Sequence, residues 1–328
     1  MGFANNTYIS ICKRSMVAEL RMRLIGHRRE ARVSHLRRRG SNKQSTRKSR
    51  RLERGILFPN QAGIIDRTVA SNKGRMNEHF EETLRNFRNE GILTSKSLYS
   101  RCIFGRSRLT GNPITVEYGK TKPFKNIPDQ RVTLFTKSRP ATAAELRKLV
   151  DGLKSGDSEI QMSLVEVTFD VTGFGVLQFR RQLIYRARTS KLLKYPDGSG
   201  TLYVGGPKSA WQVRIYEKGE GVVRLEFIFR RAFLSRHGIN APEDVLLLRR
   251  FKLWNLLSVR QFSQARVDKA TTSWDEHDRR IAVKWNKNRR GLQGLAQLLR
   301  RKRINPAAVL RKAPVQRKLE SMLRRLIW

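Results

Sequence analysis

The chain has 328 residues and carries 69 lysines and arginines against 27 aspartates and glutamates, a formal net charge of +42. This excess favours a polyanionic partner, because phosphate groups relieve the self-repulsion of the basic side chains and release their counterions. No apolar stretch approaches the roughly 18 residues of a transmembrane helix, so no membrane partner is expected. The two cysteines, Cys12 and Cys102, stand far apart, which excludes a zinc site built on a CxxC pair.

Residues 1–60 are predicted to form a basic, disordered arm. Clusters of arginine and lysine at 37–39 and 47–51 alternate with Gly, Ser and Asn, and apolar residues are sparse. Such a segment buries too little apolar surface to fold alone, yet it binds phosphates regardless of base sequence.

Residues 61–240 are predicted to form an α+β domain with an antiparallel-rich central sheet and flanking helices. Its first half gives weaker signals for one helix and two strands, at 77–84, 114–118 and 131–135. Thr142 and Glu145 have the spacing of a capping box that opens a helix, and Gly152 is expected to end that helix.

The second half of this domain gives clearer strand patterns, at 164–171, 202–204, 212–218 and 222–230. The last two strands are separated by a glycine-containing loop of hairpin length, which predicts that they pair. A helical C-terminal region is expected over 241–328, where Pro242 and the acidic residues after it favour a helix start. No internal repeat is visible along the chain.

Alternation with a period of two places apolar and polar side chains on opposite faces of three of these strands. The apolar faces must cover a core, and the polar faces then share a surface if the strands join one sheet. These polar faces carry Glu166, Thr168 and Asp170; Arg214, Tyr216 and Lys218; and Arg224, Glu226 and Arg230.

Carboxylates are scarce in so basic a chain, and three of them on neighbouring strands suggest a site for a hard divalent cation. Glu166, Asp170 and Glu226 are the expected ligands of Mg²⁺ or Mn²⁺, which would polarise a phosphodiester. Tyr216 is the expected nucleophile. Lys218, two residues further on, is expected to steady the phosphate charge or to lower the pKa of the tyrosine.

The same pattern also fits an ordinary antiparallel sheet with one solvated face. In that interpretation the three carboxylates pair with arginines of the same strands, and no chemistry follows. Tyr185, Tyr195 and Tyr203 are rival candidates for the nucleophile. The residue pattern leaves these alternatives open.

Three segments, in matching order and spacing, resemble a known protein family. Residues 164–170 read Leu-Val-Glu-Val-Thr-Phe-Asp, similar to the family strand Arg-Ile-Asp-x-[Ala/Thr]-Phe-Asp. Residues 201–218 are similar to the family segment Tyr-x-Gly-x-x-Lys-Ser followed by Arg-x-Tyr-[Asp/Glu]-Lys, and residues 222–226 to the strand Val-Arg-[Leu/Phe/Val]-Glu. The family is the rolling-circle replication initiators of plasmids and filamentous phages, of the replication initiation factor and gene II endonuclease types.

This resemblance implies a rolling-circle Rep-like catalytic domain at 61–240 and a site-specific, metal-dependent DNA nicking-closing endonuclease. Tyr216 matches the family tyrosine, which implies a 5′-phosphotyrosyl DNA link and a free 3′-OH that primes replication. Glu166, Asp170 and Glu226 fall on acidic positions to which the resemblance assigns metal-binding and acid–base roles. The implied DNA-binding residues are Arg214, Arg224, Lys208 and Arg230.

The match has three departures. Glu166 stands where the family usually has Asp, and Gly206 and Pro207 replace the common pair after the first glycine. The His-hydrophobe-His motif of other rolling-circle enzymes is absent, since the five histidines are scattered. Pro207 before Lys208 also breaks the spacing of a phosphate-binding P-loop, so a nucleotide triphosphatase is not expected.

The implied partner is a replication origin, presented as a single-stranded or cruciform nick site. Host helicase and polymerase are further candidate partners, a dimer is a candidate assembly, and the bacterial cytoplasm is the implied location. Two alternatives remain. A basic nucleic-acid-binding protein without catalysis needs only the charge, and a conjugative relaxase uses the same chemistry for DNA transfer.

Overall fold

The computed structural model describes the following residues: 62–72, 79, 90–92, 98–107, 110–121, 128–137, 139–140, 142–153, 160–196, 199–219, 221–287 and 291–328. Side chains are described for all of these except 90–92, 153 and 283–287. The basic arm predicted at 1–60 and nearly all of the helix predicted at 77–84 lie outside the described residues.

Ten strands of the described chain form one antiparallel sheet. The strands before residue 140 are β1 (Ile64–Asn72), β2 (Glu90–Ile92), β3 (Tyr99–Arg106), β4 (Pro113–Lys120) and β5 (Gln130–Phe135). Those after it are β6 (Ile160–Thr172), β7 (Leu183–Tyr185), β8 (Ser190–Lys194), β9 (Gly200–Val204), β10 (Trp211–Gly219), β11 (Val222–Arg230), β12 (Leu257–Gln261) and β13 (Arg311–Lys312). The order across the large sheet is β2-β3-β4-β5-β1-β6-β11-β10-β9-β8, while β7, β12 and β13 form a small sheet.

Helices flank the sheet, and together they confirm the predicted α+β class. The α-helices are α1 (Ala143–Leu153), α2 (Val176–Gln182), α3 (Arg231–Arg236), α4 (Gln264–Ala270), α5 (Glu276–Lys287), α6 (Leu292–Arg301), α7 (Pro306–Val309) and α8 (Pro314–Arg324). Within the described residues, none of the helices combines the length and the apolar character needed to cross a bilayer.

The structure refines two helix predictions. At the start of α1, Thr142 Oγ1 accepts a hydrogen bond from the backbone N–H of Glu145 at 3.1 Å, but the Glu145 carboxylate accepts from Thr110 at 2.5 Å. A tertiary partner thus takes the group that would complete the capping box, and the helix continues past Gly152 to Leu153. The helix start expected at Pro242 is present, and the segment Pro242–Arg250 forms a 3-10 helix.

The two halves of the large sheet repeat one strand order. In the half β2-β3-β4-β5-β1, the strand that comes first in the chain, β1, lies at the sheet centre. The strand that comes last, β5, lies next to it, and β4, β3 and β2 follow in that order toward the edge. The half β8-β9-β10-β11-β6 has the same arrangement, and a helix follows the last strand in each, α1 or α3. β1 and β6 pair antiparallel at the centre of the sheet, so the first strands of the two halves run in opposite directions where the halves meet. The sequence shows no such repeat.

Residues on both sides of position 240 share one hydrophobic core. Phe227 of β11 belongs to the same buried cluster as Leu248 and as Leu319 of α8. The predicted boundary at 240 therefore does not coincide with a break in packing. The region predicted as helical, 241–328, also contributes β12, which pairs with β7. A smaller cluster under α4 to α7 has its own buried side chains.

Phe169 joins the sheet to the C-terminal part of the chain. Its ring is fully buried and lies 5.8 Å from the ring centroid of Phe227 and 5.9 Å from that of Trp254. We expect Phe169→Ala to lower the free energy of unfolding by about 3–5 kcal/mol, because the lost ring leaves a cavity. Urea unfolding followed by tryptophan fluorescence measures this change.

The control for that prediction is Leu177→Ala, since Leu177 of α2 is 56% exposed. We expect this change to stay within about 0.5 kcal/mol of the parent, as for most surface substitutions. Equal effects of the two substitutions would contradict the placement of Phe169 at the centre of a shared core.

Candidate active site

The polar faces of three central strands meet on one surface, as their alternation predicts. β6 pairs with β11, and β11 pairs with β10, so the three lie side by side at the centre of the sheet. In one row across them, Thr168 lies opposite Glu226, and Glu226 lies opposite Arg214. The next row contains Asp170, Arg224 and Tyr216.

The neighbouring strand β1 adds two residues that the sequence reasoning missed. The pairing of β1 with β6 has an irregularity between Ile65 and Arg67, so Asp66 is an extra residue in the ladder. A bulge of this kind redirects a side chain. Arg67 Nη2 donates to Glu166 Oε2 at 2.5 Å, and Asp66 lies near the carboxylates of β6 and β11. The one available signal was Asp66 itself, an acid inside a strand of a basic chain.

Asp66, Glu166 and Glu226 form a compact group of carboxylates. One oxygen of each lies within 4.8 Å of the others, so the three could hold a metal ion. Glu166 and Glu226 are only 3% and 4% exposed, while Asp66 is half-buried. Burial raises the pKa of Asp66 and of Glu226, and the charge of Glu166 raises both further. Oε2 of Glu226 accepts no hydrogen bond.

Arg214 bridges the two buried glutamates. Its Nη2 lies 2.7 Å from Glu166 Oε1 and 2.5 Å from Glu226 Oε2. Burial disfavours the charged guanidinium, but the two carboxylates outweigh that effect and raise the pKa of Arg214. Nε of Arg214 is buried and has no hydrogen-bond partner.

Tyr216 is hydrogen-bonded to the same group of carboxylates. Its hydroxyl donates to Oε1 of Glu226 through a short hydrogen bond. Burial, followed by the charge of Glu226, raises the pKa of Tyr216. Lys218 is expected from the sequence to lower the pKa of Tyr216, so the direction of the shift is the opposite of that expectation. Because the phenol holds its proton more tightly, ionising it requires a base, and Glu226 is in place to act as one.

Asp170 has a different environment from the other acids. Its carboxylate accepts from Arg224 Nε at 2.7 Å and from Arg224 Nη2 at 2.8 Å, and Lys218 Nζ lies 3.2 Å away. Burial alone would raise the pKa of Asp170, but Arg224 and Lys218 outweigh it and lower the pKa. The expected ligand Asp170 is thus paired with cations, and Asp66 takes its place in the compact group. Lys218, predicted to steady a phosphate or to act on Tyr216, is seen here in contact with Asp170.

The remaining predicted DNA-binding residues lie near the end of β9 and the end of β11. Lys208 is exposed in the turn between β9 and β10. Arg230 donates to the backbone oxygen of Ser209 at 2.8 Å, so it ties this turn to β11. Burial, helped by the charges of Arg67 and Arg214, lowers the pKa of Arg230.

The rival tyrosines have other partners. The Tyr185 hydroxyl lies 2.7 Å from Ser190 Oγ, and the Tyr195 hydroxyl lies 3.3 Å from Thr201 Oγ1. Tyr203 lies opposite Arg214 in the β9–β10 ladder, and burial raises its pKa. Among the candidate tyrosines, Tyr216 is therefore the one seen to donate to a buried carboxylate.

Ion pairs connect the acidic and basic side chains of this network. The carboxylates of Asp66, Glu166, Asp170 and Glu226 face the cations of Arg67, Arg214, Lys218 and Arg224. A divalent cation would add two positive charges, which phosphate groups are suited to compensate.

Comparison of the chain with known protein-family models finds no match, and neither does comparison with curated proteins. The resemblance described from the three sequence segments thus remains an expectation. The interpretation of the site rests on the residues that the sheet brings together.

Asp170 makes stability depend on pH in a defined direction. Its folded-state pKa is lowered, so its stabilising effect is present above its unfolded pKa of about 3.9 and is lost as the pH falls through the folded value. We expect Asp170→Asn to lower the free energy of unfolding by about 1–3 kcal/mol at pH 7. The difference from the parent should shrink below about pH 4, as measured by urea unfolding at several pH values.

Asp151→Asn is the matched control, because Asp151 is 57% exposed and lies 3.9 Å from Arg147 in a surface ion pair. It should change stability by less than about 0.5 kcal/mol. A deficit of Asp170→Asn that stays constant down to pH 3 would show that lost packing, and not lost charge, is responsible.

Proposed function

We propose that this chain is a metal-dependent, site-specific DNA nickase of the rolling-circle initiator type, with a Rep-like catalytic domain. The proposal rests on one observation: the Tyr216 hydroxyl donates to Glu226, a buried carboxylate of the group that could hold a metal ion. The nucleophile and the base are thus joined by one hydrogen bond, and the base belongs to the candidate cation site. This combination suits transesterification at phosphorus.

The proposed step transfers one proton and exchanges one bond. Tyr216 passes its proton to Glu226 while its oxygen attacks the scissile phosphorus. The bond from the tyrosine oxygen to phosphorus forms, and the bond from phosphorus to the 3′ oxygen breaks. That oxygen takes a proton from the solvent, to which Glu226 returns the proton of Tyr216. The 5′ end then remains on the protein and the 3′-OH is free to prime synthesis. In the protein without a cation, burial raises the pKa of Glu226, the direction that favours accepting a proton.

The cation proposed for this site is Mg²⁺ or Mn²⁺, held by Asp66, Glu166 and Glu226. These side chains offer hard oxygen ligands. Oε2 of Glu226 accepts no hydrogen bond of good geometry, although Arg214 Nη2 lies 2.5 Å from it in an ion pair. When bound, the cation would offset charge on the reacting phosphate. In this proposal Asp170 acts through Arg224, which it holds by two hydrogen bonds beside Tyr216.

The proposed substrate is a replication origin whose nick site is single-stranded or extruded from a cruciform. A strand face inside a sheet reaches a phosphate more easily when the DNA strand is unpaired. The formal charge of +42 supplies non-specific affinity for the phosphate backbone. Host helicase and polymerase, a dimeric assembly and the bacterial cytoplasm belong to the same proposal.

One observation favours a second candidate, a basic nucleic-acid-binding protein without catalysis. Asp66, Glu166, Asp170 and Glu226 all have cationic neighbours, as in a purely structural ion-pair network. Such a protein would bind DNA and would not cleave it. A relaxase for conjugative transfer would share the nicking chemistry and differ in the DNA that it recognises.

Tyr216→Phe tests the nucleophile. We expect the rate of covalent adduct formation to fall by at least about 10³-fold, because the attacking oxygen is lost. The measurement uses supercoiled DNA that carries the gene's own neighbourhood, with Mn²⁺, and detects protein trapped on a 5′ end. Tyr195→Phe is the control and should retain the adduct. An adduct formed by Tyr216→Phe at the parent's rate would refute this assignment.

Glu226→Gln tests the base. We expect nicking to slow by at least about 10²-fold, since the amide cannot accept the phenolic proton. Affinity for the same DNA, measured by fluorescence anisotropy at fixed salt, should stay within about threefold of the parent because the basic surface is unchanged. If parent and variant bind equally and neither cleaves with Mn²⁺, the protein without catalysis is the better description.

A further inference from the structure

Arg214 contacts one oxygen of each buried glutamate. The second oxygen of each accepts from another residue: Glu166 Oε2 from Arg67, and Glu226 Oε1 from Tyr216. The oxygens that face Arg214 Nη2 lie 2.7 Å and 2.5 Å from it. A cation that takes the oxygens not hydrogen-bonded to Arg67 or Tyr216 therefore competes with Arg214.

We infer that Arg214 is a positioning residue that occupies the cation site of the metal-free protein and moves to a DNA phosphate when the cation binds. This inference rests on the proposed function, because it assumes that the carboxylate group takes a divalent cation. A guanidinium and a dication repel each other and compete for the same oxygens. Metal-free protein and metal-bound protein thus place Arg214 differently.

The unsatisfied Nε of Arg214 supports this displacement. That N–H group is buried without a hydrogen-bond partner, which is costly for a donor in the metal-free protein. A phosphate can accept two parallel hydrogen bonds from one guanidinium, so it would satisfy Nε together with a terminal nitrogen. The side chain is 17% exposed, so it has an opening toward the solvent from which a phosphate would approach.

The displacement couples the binding of the cation to the binding of DNA. Without DNA, the affinity for the cation is low, because the cation must displace the Arg214 guanidinium from the carboxylates and the guanidinium has no phosphate to move to. A bound phosphate offers that partner, so the cation binds more tightly. By linkage the cation raises the affinity for the phosphate by the same factor. The nicking site would then be completed mainly on DNA.

The first test measures the dissociation constant of Mn²⁺ for the full chain at pH 8 without DNA, by electron paramagnetic resonance of free Mn²⁺. We expect Arg214→Gln to bind Mn²⁺ about tenfold more tightly than the parent or better, which corresponds to about 1.4 kcal/mol. Arg260→Gln removes one positive charge from β12, which lies outside the large sheet, and should stay within about threefold of the parent. Asp66→Asn should weaken Mn²⁺ binding.

The second test adds a single-stranded oligonucleotide of mixed sequence, in the Tyr216→Phe background so that no cleavage occurs. We expect the oligonucleotide to tighten Mn²⁺ binding about fivefold or more, in the range usual for coupled sites. With Arg214→Gln added, the tightening should fall below about twofold, since the guanidinium that links the two ligands is absent.

Two results would overturn the inference. One is Arg214→Gln binding Mn²⁺ no more tightly than the parent while its near-ultraviolet circular dichroism stays native. The other is no measurable Mn²⁺ binding by any variant, which would also remove the metal from the proposed function. If Arg214→Gln does not fold, Arg214→Lys replaces it in the second test, because a lysine keeps the charge but cannot hold a phosphate through two parallel hydrogen bonds; the tightening by the oligonucleotide should then fall below about twofold.

The outcomes also separate this inference from the proposed function. Coupled Mn²⁺ and oligonucleotide binding without any covalent adduct would retain the role of Arg214 and reject nicking. An adduct that depends on Tyr216, combined with Mn²⁺ affinity unaffected by Arg214→Gln, would retain nicking and reject the role of Arg214.

Discussion

Compensation of buried charge is the constraint on which the centre of this sheet depends. Glu166 and Glu226 are nearly inaccessible to water, and an ionised carboxylate loses several kcal/mol of hydration when it is buried. Arg67 and Arg214 lie against these carboxylates and supply that compensation. The strand order matters because it brings the cations of β1 and β10 to the carboxylates of β6 and β11. Antiparallel pairing of these four strands therefore also brings the buried carboxylates next to side chains of opposite charge.

Much of the site follows from local alternation. The period-two patterns predict which side chains of β6, β10 and β11 share a face, and the loop between the last two predicts that they pair. This is enough to bring Tyr216 and Glu226 together. Asp66 could not be found in this way, because it reaches the site through an irregular ladder between strands about a hundred residues apart in sequence. The pairing of Asp170 with Arg224 depends on cross-strand register, which alternation alone does not determine.

The C-terminal region, 241–328, shows the same limit at the level of the fold. The sequence predicts that it is helical, but not which surfaces its helices cover. Leu319 and Leu248 complete the core under the sheet, and β12 extends a small sheet begun by β7. The 3-10 helix Pro242–Arg250 illustrates that favourable capping signals do not decide between helix types. Packing against the sheet determines the outcome there.

The repeated strand order gives each site strand a counterpart in the other half of the sheet. β4 corresponds to β10 and β5 to β11, and the carboxylate of Glu117 on β4 meets the guanidinium of Arg131 on β5. In the other half, Arg214 on β10 meets Glu226 on β11, so the cation and the anion have exchanged strands. One architecture thus holds a charge pair twice with opposite polarity. Among the described residues, the acid that joins other carboxylates belongs to the half in which it lies on the inner strand of the pair, next to β6.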